Sequence, residues 1–182
     1  MGIYYHGSAV KGLSKLIPQK SKYSKLEFPY VYLTENIQKA TLYIWNRPYY
    51  WMYYGFNDNI PFITETFKNG LFELYNLDGY IYEVDGTFET DGRIGILYTK
   101  ISKEPINVKK QHYIKNVYKK LLEYEEEGTV IIKRYEELSE KDIETRDRLI
   151  LGEIKIHDLK NNEDDPYSKF IMEKFLDIWN MN

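Results

Sequence analysis

The sequence of 182 residues contains no cysteine. This absence excludes a disulfide scaffold, a thiolate zinc site and a cysteine nucleophile. The three histidines lie far apart in the chain, so we do not expect a histidine-rich metal site. No run approaches the roughly 20 apolar residues of a membrane span, and the first residues lack the basic and apolar regions of a signal peptide. We therefore predict a cytoplasmic protein without a metal site or a membrane partner.

An excess of positive charge is also missing. Lys and Arg number 25 against 28 Asp and Glu, which gives a formal net charge of −3. This balance disfavours the broad basic surface that many nucleic-acid-binding proteins use. Hydrophobic residues make up 43% of the chain, which is enough for a packed core at this length. We predict one domain over residues 1–182.

Tyrosine, by contrast, is abundant, with 19 residues. A tyrosine ring has a flat apolar face and a hydrogen-bonding hydroxyl, so an excess of tyrosine suits a half-wet cleft that stacks a planar ligand. A general compositional bias of the chain is the other explanation. The glycine-rich loops that commonly bind nucleotides, GxGxxG after a strand and the P-loop, are absent.

The N-terminal part of the chain predicts two short strands and a helix. Residues 3–6 form a β-rich run that stops at a Gly-Ser turn, and residues 30–33 form a second run. Thr34 is placed to cap a helix whose apolar stripe extends to Ile44. Tyr43 would then lie about three turns into this helix.

The rest of the chain mixes short strands and helices without a regular βαβ alternation, which favours an α+β fold. The patterns predict an aromatic loop over 45–61, helices over 61–75, 108–127 and 166–179, strands over 79–84, 94–101, 129–133 and 149–156, and a charged helix between the last two strands.

Two features could bind a ligand. His6-Gly7-Ser8 ends the first predicted strand, where a glycine lets a ligand approach the backbone beside an imidazole and a hydroxyl. Tyr32 and Tyr43 are separated by ten residues, and a strand with its following helix can place two rings on either side of a flat heterocycle. Alternatively, His6-Gly7-Ser8 has only a structural role in a turn, and the two tyrosines are part of the apolar core.

A third feature is the acidic segment over residues 83–91, which follows the most regular predicted strand. A carboxylate at the rim of a cleft can stabilise developing positive charge or act as a base. The segment contains Glu89 and Asp91. A solvated turn is the alternative interpretation.

Together these features resemble the ADP-ribosyltransferase superfamily of the His-Tyr type. The nearest resemblance is to the small bacterial rifamycin-modifying ADP-ribosyltransferases, which have a Tyr-His-Gly-Thr start, a Val-Tyr-Leu-Thr second motif and a strand ending Glu-Pro-x-Gly-x-x-Glu-Asp-Asp. Here the first motif ends in serine, the second reads Val-Tyr-Leu-Thr, and residues 83–91 read EVDGTFETD, with Thr90 at the middle acidic position. The resemblance covers roughly residues 3–110.

The resemblance implies an α+β fold with a split mixed or antiparallel sheet, flanking helices and a C-terminal helix. Residues 1–110 would form the NAD-binding core, and residues 111–182 would extend the same domain. The implied activity is NAD-dependent mono-ADP-ribosyl transfer, with NAD as a substrate. The acceptor would be a small molecule, a protein or a nucleic acid.

The resemblance also implies residue roles. His6 and Gly7 would hold the nicotinamide half of NAD, with Ser8 as an auxiliary donor, and the pair Tyr32 and Tyr43 would sandwich its ring. The catalytic group would include His6 with a carboxylate, namely Asp91 with Glu89 in reserve.

Three alternatives stay open. Some members of the superfamily use a glutamate late in the chain, which would make Glu153, in the strand predicted over 149–156, the catalytic carboxylate. An RNA 2′-phosphotransferase-like enzyme has a similar first motif but needs arginines to hold phosphates, and Arg47 is the nearest candidate. A non-catalytic binding module would keep the fold and the cleft without turnover.

Overall fold

The computed structural model describes residues 2–20, 28–45, 51–90 and 99–181. These residues form an α+β fold with a six-stranded antiparallel sheet, a three-stranded mixed sheet, a two-stranded ladder and several helices. No helix in these ranges is long and apolar enough to cross a membrane.

The strands and helices are numbered in chain order. The strands are β1 (Gly2–Ser8), β2 (Lys15–Leu16), β3 (Val31–Thr34), β4 (Met52–Asn57), β5 (Ile60–Glu65), β6 (Gly79–Gly86), β7 (Glu89–Thr90), β8 (Thr99–Ser102), β9 (Ile106–Asn107), β10 (Lys110–Ile114) and β11 (Ile131–Lys133). The helices are α1 (Ile37–Thr41), α2 (Gly70–Tyr75), α3 (Val117–Glu126), α4 (Glu140–Ile156), α5 (Pro166–Lys174) and α6 (Leu176–Trp179).

The larger sheet has the strand order β10-β6-β1-β3-β8-β7, and every neighbouring pair is antiparallel. Its two faces cover different apolar clusters, because successive side chains of a strand point to opposite faces. Tyr4 belongs to the smaller cluster, whereas Tyr5 packs against the larger one together with α1 and most of the helices. The strands predicted over 3–6, 30–33 and 79–84 are confirmed as β1, β3 and β6.

The smaller sheet corrects the prediction of an aromatic loop over 45–61. Residues 52–65 instead form the β4–β5 hairpin, and β11 pairs with β5 in parallel. The hairpin turn consists of Asp58 and Asn59, which both have positive φ angles of 46° and 70°. These two residue types tolerate that conformation, and it suits a two-residue hairpin turn. Strand β5 also includes the first residues of the helix predicted over 61–75, and only α2 is helical in that range.

The first helix is shorter than its apolar stripe predicted. Thr34 is the last residue of β3, and the cap of α1 is Asn36, whose side chain accepts from the backbone N–H of Lys39 at 2.7 Å. The helix ends at Thr41. The carbonyl of Leu42 accepts a hydrogen bond from the buried hydroxyl of Tyr75 at 2.7 Å, so a side chain satisfies it instead of a further helical turn.

The helix predicted over 108–127 begins later, because its first part is a strand. Lys110–Ile114 pairs with β6, and Asn116, at φ 57°, caps α3 by accepting from Lys119 N at 3.0 Å. Gly128 follows the helix at φ 69°, where glycine avoids the strain of a side chain.

The prediction of a strand over 149–156 is wrong, because this segment is the C-terminal half of α4. Ser139 and Asp142 form a capping box that starts the helix. Ile150 and Ile154, four residues apart, are both buried along one face of the helix. The helix predicted over 166–179 is present but is interrupted at Phe175, between α5 and α6.

Candidate functional site

Strands β1 and β3 separate shortly after they meet. Strand β1 pairs with β6 through seven residue pairs but with β3 through one, Tyr5 with Thr34. The same register would place Gly7 opposite Tyr32, and no pairing is formed between these two described residues. The sheet is therefore open where these two motifs face each other. We call this place, bounded by His6, Gly7 and Tyr32, the β1–β3 opening.

The His6 side chain spans the β1–β3 opening. Its Nδ1 lies 2.9 Å from the carbonyl oxygen of Tyr32. Because a carbonyl only accepts, Nδ1 carries the hydrogen and donates it. Burial lowers the pKa of His6 below its usual value, although the bond to Tyr32 opposes this effect. The ring is therefore neutral near pH 7, and its Nε2 is an unprotonated acceptor.

The side chains of His6 and Tyr32 lie on opposite faces of the sheet. Strand alternation puts His6 on the face of Tyr4, whereas Tyr32 shares the face of Tyr5 through the Tyr5–Thr34 pair. The His6 ring reaches the backbone of β3 through its Nδ1 atom. A ligand that touches both rings must therefore lie in the opening itself and not on one face of the sheet.

Gly7 and Ser8 both have structural partners. A Cβ atom at Gly7 would lie 2.0 Å from the carbonyl oxygen of Ala40, so the glycine lets α1 pack directly on β1. The Ser8 hydroxyl accepts a hydrogen bond from Val10 N at 3.1 Å and closes the turn after the strand. Packing and turn geometry thus explain both residues without a ligand.

The position of Tyr43 differs from the prediction, because this residue lies in the turn after α1. Its backbone N–H donates to Ala40 O at 3.1 Å. Its ring is packed edge-on against Tyr54 of β4, with centroids 5.5 Å apart, and it lies 5.8 Å from the ring of Trp45. The β4–β5 hairpin therefore supplies a third tyrosine, which the prediction of a loop did not include.

Tyr32, Tyr43 and Tyr54 form a cluster, which we call the tyrosine cluster. Burial raises the pKa of Tyr43 far above its usual value, and the hydroxyls of Tyr54 and Tyr32 act in the same direction, while a hydrogen bond with Thr99 opposes them. Burial likewise raises the pKa of Tyr54. The phenols of Tyr43 and Tyr54 are therefore neutral at physiological pH.

One predicted carboxylate can be placed relative to the tyrosine cluster. Ile101 of β8 pairs with Tyr32 on one side and with Glu89 on the other. Side chains directly opposite one another share a face, so Glu89 lies on the face of Tyr32 at a backbone distance of about 10 Å. Glu89 is exposed. Asp91 lies outside the described residues, as does Arg47.

Glu153 belongs to a different set of contacts. It lies in α4, not in a strand, and accepts from the Tyr167 hydroxyl at 3.1 Å. Its carboxylate is 3.1 Å from Nε2 of His157. These described partners of Glu153 are not residues of the β1–β3 opening.

Lys39 of α1 is a residue that the sequence analysis missed. Its side chain is 1% exposed, and its amine has no hydrogen-bond partner. The Nζ atom lies 4.1 Å from the ring centre of Tyr54, 5.1 Å from that of Phe56 and 5.5 Å from that of Tyr43. Burial lowers the pKa of Lys39 to about 7. Two of the three aromatic rings come from β4, so the sequence around Lys39 carries no signal of this environment.

A cavity of about 500 Å³ lies between the N-terminal end of α1 and the tip of the β4–β5 hairpin. We call it the hairpin cavity. It is lined by Tyr5, Glu35, Asn36, Ile37, Gln38, Phe56 and Asn59. Phe56 lines this cavity and also contacts the amine of Lys39.

Within the described ranges, no group of three or more His, Asp or Glu side chains is arranged to hold a metal ion. Comparisons of the chain with protein-family models, with curated proteins and with solved structures give no match.

Proposed function

We propose that the protein is an NAD-dependent mono-ADP-ribosyltransferase with an ADP-ribosyltransferase-like split sheet. The observation that carries this proposal is the single pairing of β1 with β3, because it leaves the sheet open where His6-Gly7 faces Tyr32. NAD binds in the β1–β3 opening, its nicotinamide–ribose bond is cleaved, and ADP-ribose passes to an acceptor.

The tyrosine cluster supplies the ring contacts for nicotinamide. Tyr32 lies close enough to Tyr43 for its hydroxyl to raise the pKa of Tyr43. Stacking of a planar ring against an aromatic side chain contributes about 1 kcal/mol beyond the burial of area. The tyrosine hydroxyls can also donate hydrogen bonds to the carboxamide or ribose oxygens.

His6 orients the ribose from the other side of the opening. Its Nδ1 is fixed by the Tyr32 carbonyl, so Nε2 is left to accept a hydrogen bond from a ribose hydroxyl. A ring locked in one tautomer holds its partner with little loss of conformational freedom. This geometry gives His6 a role in binding and in alignment.

The bond cleavage resembles glycoside hydrolysis. Nicotinamide leaves with the bonding electron pair, positive charge develops at the ribose C1 and ring oxygen, and a carboxylate stabilises it or takes the proton of the acceptor. We assign this carboxylate to Asp91, with Glu89 as the reserve. Glu89, two residues before Asp91 in the chain, lies on the face of Tyr32 and supports a role for this acidic segment.

Calorimetric titration with NAD tests the proposal, with free nicotinamide measured in the same samples. Tyr32→Ala is compared with Tyr113→Ala, a matched control because Tyr113 is exposed and lies on β10 at the other edge of the sheet. We expect NAD binding by the native protein, loss of at least about tenfold in affinity for Tyr32→Ala, and no change for Tyr113→Ala. Absence of binding at millimolar NAD overturns the proposal.

A second candidate is a non-catalytic module with the same fold. Two contacts favour it: α1 already explains Gly7, and the ring of Tyr43 is already packed against Tyr54. NAD binding without release of nicotinamide, in the presence or absence of nucleophilic acceptors, would identify this second function. Nicotinamide release that depends on enzyme concentration would exclude it.

A further inference from the structure

The amine of Lys39 is buried without a polar partner. Its side chain is 1% exposed and Nζ makes no hydrogen bond, although a lysine ammonium has three donors. No carboxylate forms an ion pair with it among the described residues. The ammonium group of a buried lysine is normally paired with an acidic side chain or reaches the solvent. Lys39 does neither, so its environment disfavours the ammonium form.

The groups around the amine are aromatic. Tyr54 and Phe56 of β4 cover it, and Tyr43 lies on the side of the α1 turn. The two phenols are neutral because burial raises the pKa of both tyrosines. They attract a cation through their ring faces but do not replace the lost hydration of an ammonium group. Consistent with this, burial lowers the pKa of Lys39 to about 7.

The hairpin cavity lies beside one of the aromatic rings that surround this amine. Phe56 is a wall of the cavity of about 500 Å³ and lies 5.1 Å from Nζ. Phe56 thus borders both the amine and a space large enough for a small molecule. Glu35 lines the same cavity and disfavours anionic compounds, while Asn36 and Gln38 provide polar contacts.

We propose that Lys39 is a nucleophilic amine that forms an imine with a small uncharged aldehyde admitted through the hairpin cavity. The lone pair of Nζ attacks the carbonyl carbon, and a proton moves from nitrogen to oxygen to give a carbinolamine. Loss of the hydroxyl group with a second proton from nitrogen forms the C=N bond and releases one water molecule. The aromatic rings around Nζ exclude water, which slows hydrolysis of the imine.

The test is reductive trapping on the native protein, with benzaldehyde as the probe and cyanoborohydride as the reductant. Mass spectrometry of peptides measures the initial rate of benzylation at Lys39 and at Lys119, an exposed lysine of α3. At pH 7 an ordinary lysine is almost fully protonated, so we expect Lys39 to react at least about tenfold faster. The ratio of the Lys39 rate to the Lys119 rate should fall as the pH approaches 10, because Lys119 then also loses its proton. A Lys39 rate no higher than that of Lys119 at pH 7 overturns the proposal.

Variants test the route and the assignment. Lys39→Met should remove the fast reaction, whereas Lys119→Met should leave it unchanged. Phe56→Ala opens the wall of the hairpin cavity to the aldehyde and also to water, so the Lys39 rate should change several-fold, and an unchanged rate contradicts access through this cavity. Circular dichroism confirms that each variant is folded. Since no step uses NAD, this result and the calorimetric result stand independently.

Discussion

His6 donates its Nδ1 hydrogen to the carbonyl oxygen of Tyr32 at 2.9 Å, at the point where pairing between β1 and β3 has ended. The His6 side chain thus provides a hydrogen bond between the strands where a backbone hydrogen bond is missing. Because the two residues come from strands that are 26 positions apart in sequence, the bond ties the N-terminal motif to the second motif. It fixes both the width of the β1–β3 opening and the tautomer of the imidazole.

Substitution His6→Ala should therefore affect both stability and binding. Loss of the hydrogen bond leaves the Tyr32 carbonyl without this donor, and we expect the free energy of unfolding to fall by about 1–2 kcal/mol. We also expect weaker NAD binding. His112→Ala is the control, because its contact with Glu83 at 3.3 Å is partly exposed and should contribute less than about 1 kcal/mol. Equal losses in the two variants in urea unfolding would contradict the bridging role of His6.

The pH dependence of stability provides a separate test of His6. Burial lowers its pKa in the folded state, so the unfolded chain binds the proton more readily. Its contribution to stability is present above the unfolded pKa of about 6.5 and is lost as the pH falls below that value. We expect the difference in stability between the native protein and His6→Ala to shrink from pH 7.5 to pH 5.5, measured by urea unfolding. A difference that grows over this range would contradict the neutral imidazole.

Gly7→Ala should be strongly destabilising. The added Cβ would lie 2.0 Å from the backbone oxygen of Ala40, and a backbone atom can move away only if α1 shifts. We expect a loss of about 2–4 kcal/mol. Gly152→Ala is the matched control, since a Cβ there meets no atom within 4 Å and the residue lies inside α4. That change should stabilise the protein by about 0.5–1 kcal/mol, and thermal unfolding of both variants measures the contrast.

Lys39 should make stability rise with pH. Its pKa of about 7 in the folded state lies below the unfolded value, so the unfolded chain binds more protons between these two values. From pH 7 to pH 9.5 we expect the free energy of unfolding of the native protein to rise by about 2–3 kcal/mol relative to that of Lys39→Met, because this one group is linked to folding. The variant should also be more stable than the native protein at pH 7. Urea unfolding at the two pH values checks both, and parallel changes in the two proteins would contradict the buried neutral amine.

The strands of the larger sheet could be predicted because their sequences carry local signals. Runs such as residues 79–84 are rich in β-branched and aromatic residues and are followed by a turn signal, and they form β6 as predicted. The β4–β5 hairpin could not be recognised in the same way. Its turn residues are Asp58 and Asn59, without the glycine that usually marks a two-residue hairpin turn.

The surroundings of a side chain were harder to predict than its secondary structure. Lys39 follows a capping asparagine in a short helix, and this sequence is typical of an exposed position. Its burial depends on Tyr54 and Phe56, which belong to a strand that begins 13 residues later in the chain. The prediction of a strand over 149–156 was wrong for a different reason. The apolar run of this segment fits a strand, but the capping box at Ser139 starts a helix that continues through it.

Replacement of the acidic residues separates binding from catalysis. Asp91→Asn removes the charge that would stabilise the ribosyl cation but keeps the size of the side chain, so we expect nicotinamide release to fall by about 100-fold or more. The affinity for NAD measured by calorimetry should change less than about threefold, because the interaction forms mainly in the transition state. Glu89→Gln should have a smaller effect on release, since its exposed side chain on β7 is the reserve carboxylate. Full activity of Asp91→Asn together with a large loss in Glu89→Gln would reassign the catalytic role to Glu89. Full activity of both variants would exclude the acidic segment from catalysis.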